Sequence, residues 1–258
     1  MRGLRTFSIA LAVLVLAPLI ILVLSSFTTA RYVSFPPVGF GFSWYAKAFA
    51  SEQFRAGLRT SAYLAVIVAP LATCLGSLAA FGLVRYRVPG KEVITTFLMA
   101  PLLLPTVVVG MMLLNYFAST GSRTTFLNIV AGQTLLATPY VIRLTLAALQ
   151  GTDARLEAAA QSLGATPVQA VRLATLPIIL PSLIAGAAFA FIVSFDDISV
   201  SLFLSRPGTT TLPAFVFNYA EQTSDPLVAA ISGLMIGLAV LFLVIIERTI
   251  GVGKLFGS

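Results

Sequence analysis

Asp196 and Asp197 stand side by side in an otherwise apolar run, with IAGAAFAFIVSF before them and ISVSLFL after. An Asp at the centre of a membrane span costs roughly 2.5–3.5 kcal/mol on insertion scales, so two of them demand a task. One task is to line a wet path and favour a cation. The other is structural: capping a helix break, or pairing with an arginine on another span. Arg143 is the nearest such arginine by sequence, but its depth differs, and a long basic side chain there snorkels toward the interface. Adjacent helical residues diverge by about 100°, so no more than one of the two carboxylates faces a pore squarely.

A second stretch, Glu157–Pro181, reads EAAAQSLGATPVQAVRLATLPIILP. Its chemistry is mechanical. Asp153 is placed to cap an Ala-rich helix running to about Leu163, and Gly164 follows where a left-handed C-terminal cap is expected. Thr166 then caps a second helix, with Pro167 at its first position and Gln169 completing a capping box. That helix is expected to end near Leu176, and Pro177 and Pro181 lead into the next apolar run. A rigid helix–turn–helix over about residues 153–176, held outside the bilayer between two spans, suits docking to a soluble motor. The small Ala158, Ala159 and Ala160 allow close approach, and Glu157 offers a charge to the partner.

The remaining composition removes other chemistries. The chain has 258 residues, 58% hydrophobic and only 10% charged, with mean hydropathy +0.99; a soluble domain would carry roughly 25% charge. There is no histidine, so neither His-based acid–base catalysis nor a His metal site is open to it. No catalytic residue, metal site or cofactor is expected. The single Cys74 lies in an apolar run and cannot form an internal disulfide. Gly251–Lys254, GVGK, lacks the spacing and the Ser/Thr of a phosphate-binding loop, so any ATP would be bound by another chain. The net charge of +7 comes from basic residues at the ends of apolar runs, a topology signal rather than a nucleic-acid stripe.

Six spans are read, at about 7–27, 60–84, 95–118, 126–150, 177–204 and 227–246, each long enough to cross a core of about 30 Å. The first apolar stretch is too long for a signal-peptide core of roughly 7–15 residues and is read as a retained helix. With the N-terminus inside, nine Lys and Arg fall on the inner side, including the cluster Arg85, Arg87 and Lys91, against six on the outer. Both termini are therefore expected in the cytoplasm. On the outer side, Thr28–Arg59 contains Phe40, Phe42, Trp44 and Tyr45, which read as interfacial anchors of a short helix and leave room for a partner there. Ala72, Gly76 and Ala80, Gly186, and Gly233 with Gly237 supply small faces for helix packing. Pro101, Pro105 and Pro139 are expected to kink their spans.

At the inner loop the sequence resembles the membrane subunits of binding-protein-dependent ABC importers. Their loop carries EAA, three residues, Gly, nine residues, then Ile-x-Leu-Pro. Here Gly164 is followed by nine residues and then Ala174-Thr175-Leu176-Pro177, so Gly, Leu and Pro match in register. The Ile position is Ala174, and the Glu position is Ala158, with Glu157 one residue earlier; one helical step of 100° points that acid elsewhere on the docking face. Ser194-Phe195-Asp196-Asp197 is similar to the spermidine/putrescine permease branch.

The resemblance implies an all-α integral membrane protein, a single permease domain over residues 1–258 with six transmembrane helices and a coupling helix–turn–helix between spans four and five. It further implies a multi-pass subunit of a bacterial inner membrane, importing a small, polyamine-like solute handed over by an extracytoplasmic binding protein. The coupling residues would be Glu157, Ala158, Ala159, Ala160, Gly164, Leu176 and Pro177, docking on cytoplasmic ATP-binding subunits; Asp196 and Asp197 would line the substrate path. A second permease, the same chain or another, and membrane lipid complete the expected partners. The competing reading is an ion-coupled secondary transporter using Asp196 and Asp197, which inverted repeats would support; no such self-similarity is visible. A membrane-embedded hydrolase lacks a nucleophile–base pair.

Overall fold

The apolar runs become helices because the bilayer core offers backbone groups no partner but each other. A computed structural model describes residues 2–153 and 155–250; the Gly251–Lys254 stretch lies outside them. The elements are α1 (Arg2–Ser25), α2 (Ser43–Ala50), α3 (Glu52–Arg85), α4 (Lys91–Leu103), α5 (Thr106–Ser119), α6 (Thr125–Gln150), α7 (Arg155–Ser162) and α8 (Pro167–Ala170). A π-helical turn (Val171–Thr175) follows, then α9 (Leu176–Phe195), α10 (Ser199–Leu204), α11 (Leu212–Gln222) and α12 (Leu227–Ile250). Five helices are long and apolar enough to span a membrane, or six if the bent pair α4–α5 is one span. Among the described residues the extended pairing is a single bridge, Thr28 with Phe40.

Two spans differ from the sequence reading. The third is broken: α4 and α5 meet at 101°. Pro105 is the cause, since it lacks an N–H and forces Leu104 into extended backbone (φ −90°, ψ 141°). Pro101 and Pro139 stay inside continuous helices. The fifth span ends at Phe195 rather than Leu204, and the chain restarts as the short α10.

The described residues fall into two compact units, with the boundaries at residues 58/59, 211/212 and 243/244. In the first, α1 turns its large side chains outward (Leu14 is 71% exposed), as a helix facing lipid does. The segment after it folds back through Thr29 N–H to Gly39 O (3.2 Å) and Gly41 N–H to Phe27 O (2.7 Å). The expected short aromatic helix is α2. Its Trp44 donates to Ala30 O at 3.1 Å, its Tyr45 hydroxyl lies 2.5 Å from Ser26 Oγ, and its Lys47 pairs with Asp225 at 3.4 Å.

The second unit holds the main core. Leu64, Val68, Ala72, Val109, Ile129, Leu136, Val141, Ala190 and Val200 bury one another from α3, α5, α6, α9 and α10. The small-residue face of α3 is the reason α3 and α6 approach so closely. A Cβ at Gly76 would stand 2.7 Å from the Val141 side chain and 3.1 Å from Thr138 O. Gly186 of α9 meets Val141 from another side, so one valine is gripped by two glycine positions.

Candidate functional site

The loop between α6 and α9 follows its local sequence closely. Asp153 Oδ1 accepts the Arg155 N–H at 2.9 Å. Gly164 has φ +94°, a conformation that costs an L-residue roughly 1–2 kcal/mol. Around it Ala165 N–H bonds Ala160 O (3.1 Å) and Gly164 N–H bonds Gln161 O (2.9 Å), the paired closure of a Schellman turn. The capping box is complete: Gln169 N–H donates to Thr166 Oγ1 (3.3 Å) and Thr166 N–H to Gln169 Oε1 (2.9 Å).

The second loop helix does not stop at Leu176. After four residues of α8 it passes through the π-helical turn, where Leu176 N–H reaches Val171 O, and continues into α9. The wider turn absorbs the donor that Pro177 lacks, so the chain runs on instead of breaking. Residues 167–195 thus form one apolar helical run of 29 residues. Whatever moves α8 moves α9.

Among exposed polar residues, three large apolar side chains of this loop also stand uncovered. Leu163 is 90% exposed, Val168 77% and Leu173 71%, with Ala158 and Ala159 exposed beside them and Ala160 half-buried. Pro177 is exposed and Leu176 half-buried. Glu157, expected to offer its charge outward, is turned in: its side chain is 14% exposed, with Oε1 2.8 Å from Arg85 Nη2 at the end of α3. The same oxygen accepts the hydroxyl of buried Thr175. Sequence reasoning missed both partners, because Arg85 read as a topology charge and Thr175 as an ordinary residue of the loop.

The two aspartates part company. Asp197 is 9% exposed and caps α10: Oδ2 accepts the Ser201 N–H (2.9 Å) and Ser201 hydroxyl (3.1 Å), and Oδ1 accepts the Val200 N–H (3.3 Å). Buried Gln133 of α6 donates to Asp197 Oδ2 (3.3 Å) and Ser201 Oγ (3.1 Å), and takes the Ser194 hydroxyl on Oε1 at 2.6 Å. Asp196 is exposed. Both acids border a cavity of about 310 Å³ with Pro101, Leu104, Thr106, Tyr140 and Ser199. There the α4–α5 break meets the α9–α10 break through Thr106 Oγ1 and Ser199 Oγ, 2.9 Å apart. Tyr140 is backed by Phe189, the rings stacked at 6.4 Å and 5°. Arg143 is exposed on α6; the partners of Asp197 are Gln133, Val200 and Ser201 instead.

Two broken helices meeting at a cavity bordered by both carboxylates and mainly apolar side chains, with a capped loop between α6 and α9, are an arrangement suited to a membrane transport subunit. Residues 72–250 match the family model of the binding-protein-dependent transport system inner membrane component, and the chain belongs to that family, the permease subunits of ABC importers. It is 33% identical to the spermidine/putrescine transport system permease protein PotC of Haemophilus influenzae over 90% of each chain. It is 32% identical to the putrescine transport system permease protein PotI of Escherichia coli over 86% of this chain and 81% of that one. Among solved structures, a bacterial ABC transporter involved in import of the acidic polysaccharide alginate matches in fold with a TM-score of 0.69 at 17% identity, over 100% of this chain and 97% of that one. The MetNI methionine ABC transporter matches with a TM-score of 0.63 at 19% identity, over 78% and 98%.

Proposed function

We propose that this permease docks on a cytoplasmic ATP-binding subunit through Ala158, Ala159, Leu163, Gly164 and Val168. Ala160, Leu176 and Pro177 hold that surface in line with α9. The observation that carries this is the run of uncovered apolar side chains on a loop fixed by a Schellman turn and a capping box. Large apolar groups left uncovered, Leu163 above all in the stretch between the two long helical runs, are costly to leave in water and mark an interface. ATP-driven closure of the motor would push α8, and with it α9 and the break at Asp196, shifting the permease between outward and inward access.

Asp196 is the residue proposed to meet the solute. Its carboxylate borders the cavity, Tyr140 offers a ring face to an ammonium, and relatives named for spermidine and putrescine transport support a polyamine-like cation. Asp197 shapes the path without touching the solute. The N- and C-termini are placed in the cytoplasm of a bacterial inner membrane, and a second permease and an extracytoplasmic binding protein complete the importer.

The test is capture of the ATP-binding subunit, with the chain expressed beside its native neighbours, for wild type and Gly164→Pro. Proline cannot take φ +94° and gives up the N–H that closes the turn. Capture by wild type and loss in the variant, with insertion unchanged, supports the docking loop. No capture by wild type would refute the reading.

A further inference from the structure

Glu157, Arg85 and Thr175 are joined at a place where stability alone does not call for a charge. The Arg85 and Glu157 side chains are 16% and 14% exposed. They are close without an aligned hydrogen bond, and the buried Arg85 Nε and Nη2 have no hydrogen-bond partner. Taking two charges out of water and leaving donors unmatched is unfavourable compared with apolar packing, and such a pair is best understood as a device that fixes register.

Its position says which register. Arg85 is the last residue of α3, where the helix carbonyls favour a cation. Glu157 lies in the first turn of α7. Thr175 ends the π-helical turn that leads into α9 and is fully buried. A π turn rotates the residues after it relative to an unbroken helix, and such insertions gather at functional positions. Here Thr175 bonds the oxygen that Arg85 holds. One carboxylate oxygen therefore ties the loop's first helix to two membrane helices.

Resting on the docking reading above, we infer that Arg85, Glu157 and Thr175 form an internal strut. It passes displacement of the loop to α3 as well as α9, and Glu157 acts as a positioning residue with no contact to the ATP-binding subunit. Without the strut the subunit still docks on the apolar surface, but α3 no longer follows. The covalent path through α8 reaches α9 alone.

The experiment uses the assembled importer in proteoliposomes, with Cys74→Ala and Leu102→Cys introduced as a reporter, Leu102 lining the same cavity. Labelling by a membrane-impermeant maleimide is compared with and without a non-hydrolysable ATP analogue, and capture of the ATP-binding subunit is measured in parallel. Glu157→Gln is expected to keep capture while the nucleotide-dependent change in labelling falls about tenfold. The reversal Arg85→Glu with Glu157→Arg should restore most of it, as a direct pairwise interaction requires. If Glu157→Gln fails to insert, Thr175→Val removes one strand of the strut and should weaken the response in the same direction. Loss of capture in Glu157→Gln would make Glu157 an ATPase contact and overturn the strut, as would an unchanged labelling response. Failure of capture by the wild type would instead remove the docking reading, and the strut with it.

Discussion

Gln133 Nε2 lies 3.3 Å from Asp197 Oδ2, with Gln133 fully buried and Asp197 nearly so. This contact separates two neighbouring aspartates that the sequence presents as equals. Asp197→Ala strips α10 of its cap, leaving the Val200 and Ser201 N–H groups without their carboxylate acceptor and Gln133 Nε2 with Ser201 Oγ alone, at about 2 kcal/mol or more. It is expected to lower the thermal unfolding temperature of the detergent-solubilised permease, followed by size-exclusion fluorescence. Asp196→Asn removes a charge from an exposed position and should leave that temperature unchanged while abolishing uptake of radiolabelled putrescine. Equal instability of the two variants would refute the division of roles.

The Gly164 turn and the Thr166 cap should contribute separately to loop order. Gly164→Ala places a side chain at φ +94° and should cost roughly 1–2 kcal/mol locally. Thr166→Ala should cost about 1 kcal/mol. Amide exchange of the loop residues measures both: each variant should exchange about fivefold faster or more there, with α6 protected as in the wild type.

Gly76 is the tight point between α3 and α6. Gly76→Val meets Val141 within van der Waals distance and should destabilise by about 1–3 kcal/mol through overpacking. On the same helix, a Cβ at Gly82 would meet nothing within 4 Å, so Gly82→Ala should be neutral or slightly stabilising. Thermal denaturation of the two variants side by side checks this.

How much of this was legible beforehand divides along physical lines. Caps and turns are local, so Gly164, Thr166, Pro167 and Gln169 announce the loop's shape within a few residues. Span positions follow from hydropathy, which integrates over about 20 residues. The breaks were harder. Pro105 signalled a kink, but a 101° bend needs a neighbour to receive it, here α10 packed on α5, where a Cβ at Gly110 would lie 2.7 Å from Ser199 O. The continuity of α8 into α9 ran against the usual reading of Pro177, because a π turn has no sequence signature of its own. The long-range pairs were invisible: Arg85 with Glu157, and Gln133 with Asp197, are separated by 72 and 64 residues. In each case one partner carries an obvious topological or functional reading that hides the other.

The orientation of the loop can be read directly. If it lies in the cytoplasm, Leu163→Cys in a Cys74→Ala background should be labelled by an impermeant maleimide only after the membrane is opened. Labelling in intact spheroplasts would invert the topology.

The most direct measurement places a photo-reactive amino acid at Leu163, Val168 or Glu157, one position at a time, in the chain expressed with its native neighbouring subunits. Adducts with the ATP-binding subunit from Leu163 and Val168, and none from Glu157, are predicted. Adducts from Glu157 alone, or from none of the three, would contradict docking through the apolar surface of the loop.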